Sequence, residues 1–541
     1  MMGDMSMSRA GRRPVRGAAA LAIGVATLLG IAACTSAGSG TGPAASPAST
    51  SGTASSTAAA QDSGSVVPTH STLHWHACTG ELAEEGVPDC TSLSVPLNYA
   101  DPSGRHISIA LDMIPASAPQ SEQQGVMLVN PGGPGADGLS LAPEVAQGLD
   151  INVTREYDIV GFDPRGVGSS SPELSCDPNF FSGVRADYIP ANSAAEQVLI
   201  NRAKSYANDC EQKFGWLLPY MSTEDVARDL DSIRTAFGVS KINYYAFSYG
   251  TYIGEVYATL FPGSIRRMVL DSVVDPTGVW YNDNISQDYA FQGRIEAFFA
   301  WVAKYNSTYD LGTTAAQVQA AWYRARDQLK AHPVDGEIGA DEFDDTYLEG
   351  GYLDELWPGL AQALSAYLNS GQTGDLVNQY VGNGRQNENE FAVYNAVQCS
   401  DVNWPRSWSF WTSDTEKVYK TAPFEAWDNA WYNAACSFWA YKGPSTPPAI
   451  KGAGLPGILM LQGTLDAATP YAGAQNAHKL LPSARMVVVE GGGNHGQSLE
   501  QPSNTCVENY LNAYLTSGSL PTTPGLVNAK CAATPAPAPE S

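Results

Sequence analysis

Seven short stretches of the chain are apolar at nearly every position: 107–114, 125–130, 157–163, 241–247, 266–271, 457–462 and 485–490. Runs of this length, rich in Val, Ile, Leu and Met, predict strands buried on both faces, as in a parallel sheet covered by helices. Between them the apolar positions recur with a helical period. The clearest case is 223–237, where Val226, Leu230, Ile233 and Phe237 share one face. Ser222 and Asp225 stand in capping-box spacing at its start, and Gly238 follows its end. Strands alternating with helices predict an α/β fold with a doubly wound, mostly parallel sheet.

The alternation stops after Asp271 and resumes near Leu455. The stretch between, 276–450, is helical in pattern and carries Trp357, Trp404, Trp408, Trp411, Trp427, Trp431 and Trp439. It reads as a helical lid inserted into the sheet domain, which then comprises 71–275 and 451–531. Packing of the lid's own core is the commoner role for such tryptophans; lining of side-chain subsites is the other. The Pro/Ala-rich end, 532–541, is expected to be disordered.

The N-terminus has a different pattern again. Arg9, Arg12, Arg13 and Arg16 precede a short apolar run that ends in small residues at Ala33. Residues 1–33 read as a signal peptide, too short in their apolar part for a comfortable membrane span. The run ends Ile31-Ala32-Ala33-Cys34, which resembles the lipobox of bacterial lipoproteins. Lipidation of Cys34 is the expectation, with ordinary cleavage and a bystander cysteine as the alternative. Arg12-Arg13 matches a twin-arginine signal poorly. Residues 34–70, mostly Ser, Thr, Ala, Gly and Pro, predict a flexible tether. The chain is therefore expected outside the cytoplasm, anchored on the outer side of the cell membrane or secreted.

Charge excludes some partners. The net charge is −25, and becomes about −28 once residues 1–33, with four Arg and one Asp, are removed. A chain so acidic repels nucleic acid and anionic lipid, so membrane contact is expected only through Cys34. Eight further cysteines, Cys78, Cys90, Cys176, Cys210, Cys399, Cys436, Cys506 and Cys531, point to disulfides in an exported chain. Spacing does not settle their connectivity; sequential pairing is the expectation adopted. With no CxxC pair, no zinc or redox site is expected.

Candidate chemistry starts at Ser248. The strand 241–247 runs straight into Ser248-Tyr249-Gly250 and a helical segment. A serine on a sharp strand-to-helix turn is a nucleophile elbow, with a helix N-terminus aimed at the developing oxyanion. The usual G-x-S-x-G has Ala246 in its first position here, and a serine that merely caps a helix is the plain alternative. An oxyanion hole needs backbone N–H donors. Tyr249 is expected to supply one and Gly133, in the loop 130–135 after an earlier strand, the other. That loop continues to Gly138 as a formal GxGxxG, with Asp158 and Asp163 downstream, so a dinucleotide site is a rival reading. Pro131 and Pro134 break up its turn.

Serine needs a histidine to take its proton and a carboxylate to orient the histidine. Of the histidines after Ser248, His332 precedes a proline in the lid and His478 lies in a helical stretch expected to be solvated. His495 sits in a glycine loop just after the last strand. Asp466 is the only carboxylate between the strand 457–462 and the next. Both stand where a Ser–acid–His order requires them. Residues 161–169 read as a brace for the glycine loop, and His70, His74 and His76 as the end of the tether. No metal or cofactor is required.

In order, NPGGPG (130–135), GFDPRGVGSS (161–170), SYGTY (248–252), GTLDAATP (463–470) and GGGNHG (491–496) resemble the exported tripeptidyl aminopeptidases, in the proline-iminopeptidase branch of the α/β hydrolases. The resemblance spans about 71–531. It implies an α/β-hydrolase fold, a Ser248–Asp466–His495 triad, a specificity lid at 276–450, and release of short peptides, often tripeptides, from free N-termini. Such cleavage needs a buried carboxylate for the substrate's ammonium group, and Asp401, beside Cys399, is the expected anchor. A carboxylesterase or lipase would use the same triad. A solute-binding lipoprotein would share the leader and tether alone.

Overall fold

The computed structural model describes residues 71–500 and 502–539. The expected leader, Cys34, the tether and His70 lie outside the described residues. The strands are β1 (His76–Ala77), β2 (Asp89–Pro96), β3 (His106–Ile114), β4 (Gly125–Asn130), β5 (Tyr157–Phe162), β6 (Ile242–Phe247), β7 (Ile265–Asp271), β8 (Ile458–Gly463), β9 (Ala484–Glu490) and β10 (Ala529–Ala532). They form one sheet in the order β1-β2-β3-β5-β4-β6-β7-β8-β9-β10. From β5 to β10 every neighbour is parallel. β1, β2 and β3 are antiparallel, and β3 joins the rest antiparallel to β5.

All seven apolar runs are strands, to within a residue at each end. Their continuous hydrophobicity has a direct cause. In β4, Val126 and Leu128 enter the core on one face and Met127 and Val129 the core on the other; β8 divides Ile458 and Met460 from Leu459 and Leu461 in the same way. A strand buried on both faces has no position to spare for a polar side chain.

The helices that bear on function are α1 (Thr223–Ala236), α2 (Tyr249–Leu260), α3 (Tyr281–Lys304), α4 (Ala340–Tyr352), α5 (Glu388–Asp401), α6 (Ala426–Asn433), α7 (Tyr471–Leu480) and α8 (Thr505–Ser517). α1 begins with the expected capping box, Ser222 with Asp225. Helices from α3 to α6, with others between, occupy the chain between β7 and β8. This insertion has an apolar core of its own, built around Phe298, Trp301, Trp322, Phe343, Tyr347 and Trp357. Among the described residues no helix is long and apolar enough to cross a membrane.

The disulfides pair in sequence order: Cys78–Cys90, Cys176–Cys210, Cys399–Cys436 and Cys506–Cys531. Two expectations need correction. His478 is not solvated: it is buried on α7, with its ring nitrogens 3.1 Å from the Leu526 carbonyl and 3.0 Å from that of Ala484. The tail is placed as far as Pro539, and the Trp301 indole N–H donates to the Pro537 carbonyl at 2.9 Å. Its prolines free it from regular structure, yet an unpaired carbonyl and a buried indole still satisfy each other.

Candidate active site

The site lies at the C-terminal ends of the parallel strands, where an open α/β sheet presents its loops. Ser248 joins β6 to α2 with φ of 54°. Such a left-handed backbone strains a residue with a Cβ and holds the serine on a sharp turn. The glycines around it are steric requirements. A Cβ on Gly250 would meet Asn130 Oδ1 at 2.6 Å and the Ala246 Cβ at 3.0 Å. Because Gly250 leaves that space empty, alanine is accommodated in the motif's first position. A Cβ on Gly132 would lie 2.8 Å from the Ser248 Cβ and 3.0 Å from the Tyr249 nitrogen. The glycine loop therefore packs directly on the elbow. Gly132 spends its own N–H on Asn130 Oδ1 at 3.1 Å, and Gly133 follows it with φ of 96°.

The same loop rules against a dinucleotide. Gly135 packs on the backbone of Glu390 in α5, where a Cβ would come within 2.5 Å of the Glu390 carbonyl. Asp163 turns back to accept the N–H groups of Gly138 and Leu139 at 2.9 and 3.2 Å. The backbone that would cradle a pyrophosphate is already occupied. The segment 161–169 does brace the loop, through Asp163, while Arg165 is buried against Asp229.

Asp466 and His495 meet. Nδ1 of His495 lies 3.0 and 3.1 Å from the two oxygens of Asp466, and both residues are buried. Thr469 steadies the carboxylate, donating its N–H to Oδ1 at 3.1 Å and its hydroxyl to Oδ2 at 2.9 Å. With Nδ1 on the acid, Nε2 is left as the working nitrogen; it is buried and has no hydrogen-bond partner among the described residues. The loops of acid and base are stitched together where β8 and β9 end, Leu465 N–H to the Gly492 carbonyl at 2.8 Å and Gly491 N–H to the Thr464 hydroxyl at 2.9 Å.

The insertion reaches this loop too. The His495 N–H donates to the Tyr352 carbonyl at 2.8 Å, and the Tyr352 ring stands edge-on to the imidazole, centroids 5.5 Å apart. Asp354 N–H donates to Asn494 Oδ1 at 2.9 Å. The Arg294 guanidinium covers Gly493 and is paired with Asp354.

Asp401 has a different position from the one expected of an ammonium anchor. Oδ1 accepts the Thr223 N–H at 2.6 Å, and Oδ2 accepts the Thr223 hydroxyl at 2.6 Å and the Trp280 indole at 3.0 Å. It caps α1 and fastens it to the insertion, with both oxygens engaged by protein donors. Burial pushes its carboxyl up to about 7 against the pull of these donors.

Glu425, at the start of α6, is the carboxylate that sequence reasoning missed. It is 2% exposed, and neither oxygen has a hydrogen-bond partner among the described residues. Burial, then the charge of Asp288 on α3, pushes it well above the usual carboxylate range. Burial, then the charge of Glu425, raises the hydroxyl of Tyr352, the residue whose ring meets His495. Asp288 accepts one bond, from Asn429 at 2.9 Å. No local pattern marks Glu425, which sits between Phe424 and Ala426 in an aromatic stretch. Among the described residues, no cluster suits a metal ion.

The family model described as "alpha/beta hydrolase fold" matches residues 125–501. The tripeptidyl aminopeptidase of Streptomyces lividans is 39% identical over 459 residues, which cover 82% of this chain and 84% of that one. Serine protease Hip1 of Mycobacterium bovis is 30% identical over 476 residues, covering 83% and 89%. Carboxylesterase B of Mycobacterium tuberculosis is 31% identical over 473 residues, covering 83% and 88%. With a serine elbow, a glycine loop packed against it and a carboxylate–histidine pair on the neighbouring loops, the chain belongs to the α/β-hydrolase family, in the branch of the tripeptidyl aminopeptidases.

Proposed function

We propose that the protein is an exported serine exopeptidase that releases short peptides, tripeptides foremost, from the free N-termini of larger ones. The observation that carries the chemistry is the Asp466–His495 hydrogen bond with Nε2 left over, on loops stitched to the strand that follows the Ser248 elbow. Ser248 Oγ attacks the scissile carbonyl while His495 Nε2 takes its proton. Asp466 holds the imidazole in the right tautomer and steadies the imidazolium. The N–H groups of Tyr249 and Gly133 receive the oxyanion. His495 then delivers the proton to the leaving amine, and water hydrolyses the acyl-enzyme by the same steps in reverse.

Glu425 with Asp288, in place of Asp401, is the anchor for the substrate's ammonium group. A buried carboxyl with two unused oxygens is costly to keep. An arriving ammonium stabilises its anion and receives charge-assisted hydrogen bonds. The insertion is then the specificity lid. The eight paired cysteines agree with an oxidising location, and Cys34 is the proposed lipid anchor that keeps the mature chain on the outer face of the membrane.

A fluorophosphonate should label the wild type and not Ser248→Ala. Product masses from one peptide, with its N-terminus free and acetylated, then test the exopeptidase reading. N-terminal tripeptides from the free form alone are expected; equal cleavage of both would refute the anchor. The second reading, an esterase, is favoured by the relative named carboxylesterase B. Rapid turnover of esters with no cleavage of free-amine peptides would establish it instead.

A further inference from the structure

We infer that Asp271, the last residue of β7, is a positioning residue for the reaction: its anionic carboxylate holds the loop that carries His495 in register with Ser248. The inference rests on the serine-hydrolase reading and adds a second carboxylate to it.

Asp271 touches both halves of the proposed machinery. Its carbonyl accepts the N–H of Ser248 at 3.1 Å. Its side chain accepts the Gln497 N–H at 2.8 Å on Oδ1 and the Ser498 N–H at 2.9 Å on Oδ2, and Oδ2 also takes the Ser498 hydroxyl. The next residue continues the clamp, since the Ser272 hydroxyl accepts the Gly496 N–H at 2.7 Å. One backbone step at the end of β7 thus fixes the nucleophile from its main chain and residues 496–498 from its side chains. The carboxylate is wholly buried and makes no ion pair among the described residues, so the donors it gathers are what offset its burial.

The anion is the form that fits. Oδ1 faces one amide N–H and Oδ2 an amide N–H and a hydroxyl, and the anion accepts from all three. Burial pushes Asp271 up to about 7, the charge of Asp466 adds to that rise, and the bonds from Ser498 and Gln497 oppose it. The other ionisable neighbours are Tyr245 of β6, whose hydroxyl meets Ser498, Glu500 on the same loop as His495, and Glu508 of α8 through Tyr245. All of these are acids; the one base on the clamped loop is His495 itself. Below about pH 7 the carboxylate is increasingly protonated and its hold on the loop weakens. The linkage sign for the fold is opposite. A carboxyl with a raised folded pKa favours the native state most below its unfolded value, and that contribution is lost as pH rises through about 7. A purely structural Asp271 would make activity follow stability. A positioning Asp271 makes activity rise across the window in which its contribution to stability falls.

The test is the pH profile of kcat/KM on a free-amine peptide for the wild type, Asp271→Asn and Ser498→Ala, with Ser248→Ala alongside. The wild type should show an acid limb to which the Asp271 ionisation near pH 7 contributes. Asp271→Asn should lose that contribution, with kcat lowered about 10- to 100-fold, as expected for a misaligned base, and KM little changed. Ser498→Ala removes a bond that lowers the Asp271 pKa, so its acid limb should move to higher pH. The inference is overturned if Asp271→Asn keeps the wild-type kcat or an unchanged acid limb. If that variant does not fold, an unmoved acid limb in Ser498→Ala overturns it by itself. Turnover surviving in Ser248→Ala would sink the serine-hydrolase reading, an outcome that neither of the other variants can produce.

Discussion

The ends of the parallel strands and the helical insertion bury charge in opposite ways. At the strand ends each buried carboxylate is satisfied by donors on nearby loops: Asp466 by His495 and Thr469, Asp271 by Gln497 and Ser498. In the insertion, among the described residues, Glu425 has neither oxygen bonded and Asp428 and Asp345 each have one such oxygen, although Asp345 pairs with Arg185 and Asp401 is held by three donors. Fully satisfied networks hold a geometry; buried polar groups without partners are costly and await a ligand or a proton. The contrast separates labour: the strand ends keep the reacting groups rigid, and Glu425 with its acidic neighbours keeps unspent charge for recognition.

The largest effect should come at the strand ends. Ser248→Ala or His495→Ala should lower kcat by about 10⁴- to 10⁶-fold, with thermal unfolding unchanged. A residual rate near wild type, measured by peptide release, would break the division at its first half. Next in size is the fastening of the insertion. Cys399–Cys436 closes 37 residues, and Cys399→Ser with Cys436→Ser should cost about 4 kcal/mol by loop entropy, read by urea unfolding. Asp401→Ala comes third. It leaves the Thr223 N–H and the Trp280 indole unpaired in the interior, costing about 3 kcal/mol, while the free-over-acetylated preference of the remaining folded enzyme is unaltered. Because burial pushes Asp401 up to about 7, its contribution to stability is present below about pH 4 and lost as pH rises through about 7. Asp401→Asn should therefore flatten part of the fall in unfolding midpoint between about pH 4 and 7.

The difference between the two regions also explains what could be read from the chain. Strands β4, β6 and β8 are apolar throughout because both faces are covered, and their loops carry the elbow, Asp466 and His495 at fixed offsets. Sequence order alone therefore brings the acid and base together. β2, with Asp89, Thr91, Ser92 and Ser94, alternates like a half-exposed strand, and β1 and β10 are too short to form a pattern. They were not legible, nor was the antiparallel pairing of β3.

The insertion shows only helical periodicity and aromatic content. Its polar contacts are made at long range: Asp401 meets Thr223 across 178 residues, and Asn494 meets Asp354 across 140. A disulfide neighbour made Asp401 plausible as an anchor, but no sequence signal shows that its oxygens are taken. Glu425 is identified only by what surrounds it after folding. Asp271 left a faint trace, an aspartate closing an apolar strand on the edge where such sheets do their chemistry.

The division of labour stands or falls on Glu425→Gln. Removing the charge while keeping the shape should cost about 2 kcal/mol of transition-state binding for a free ammonium, a fall in kcat/KM of roughly 10- to 100-fold. The measurement is kcat/KM on one peptide, N-terminus free and acetylated, for the wild type and Glu425→Gln, with a neutral ester as control. The account predicts that the wild-type preference for the free amine collapses in the variant while ester turnover persists. A variant that keeps the full preference, or loses ester turnover in equal measure, would contradict it.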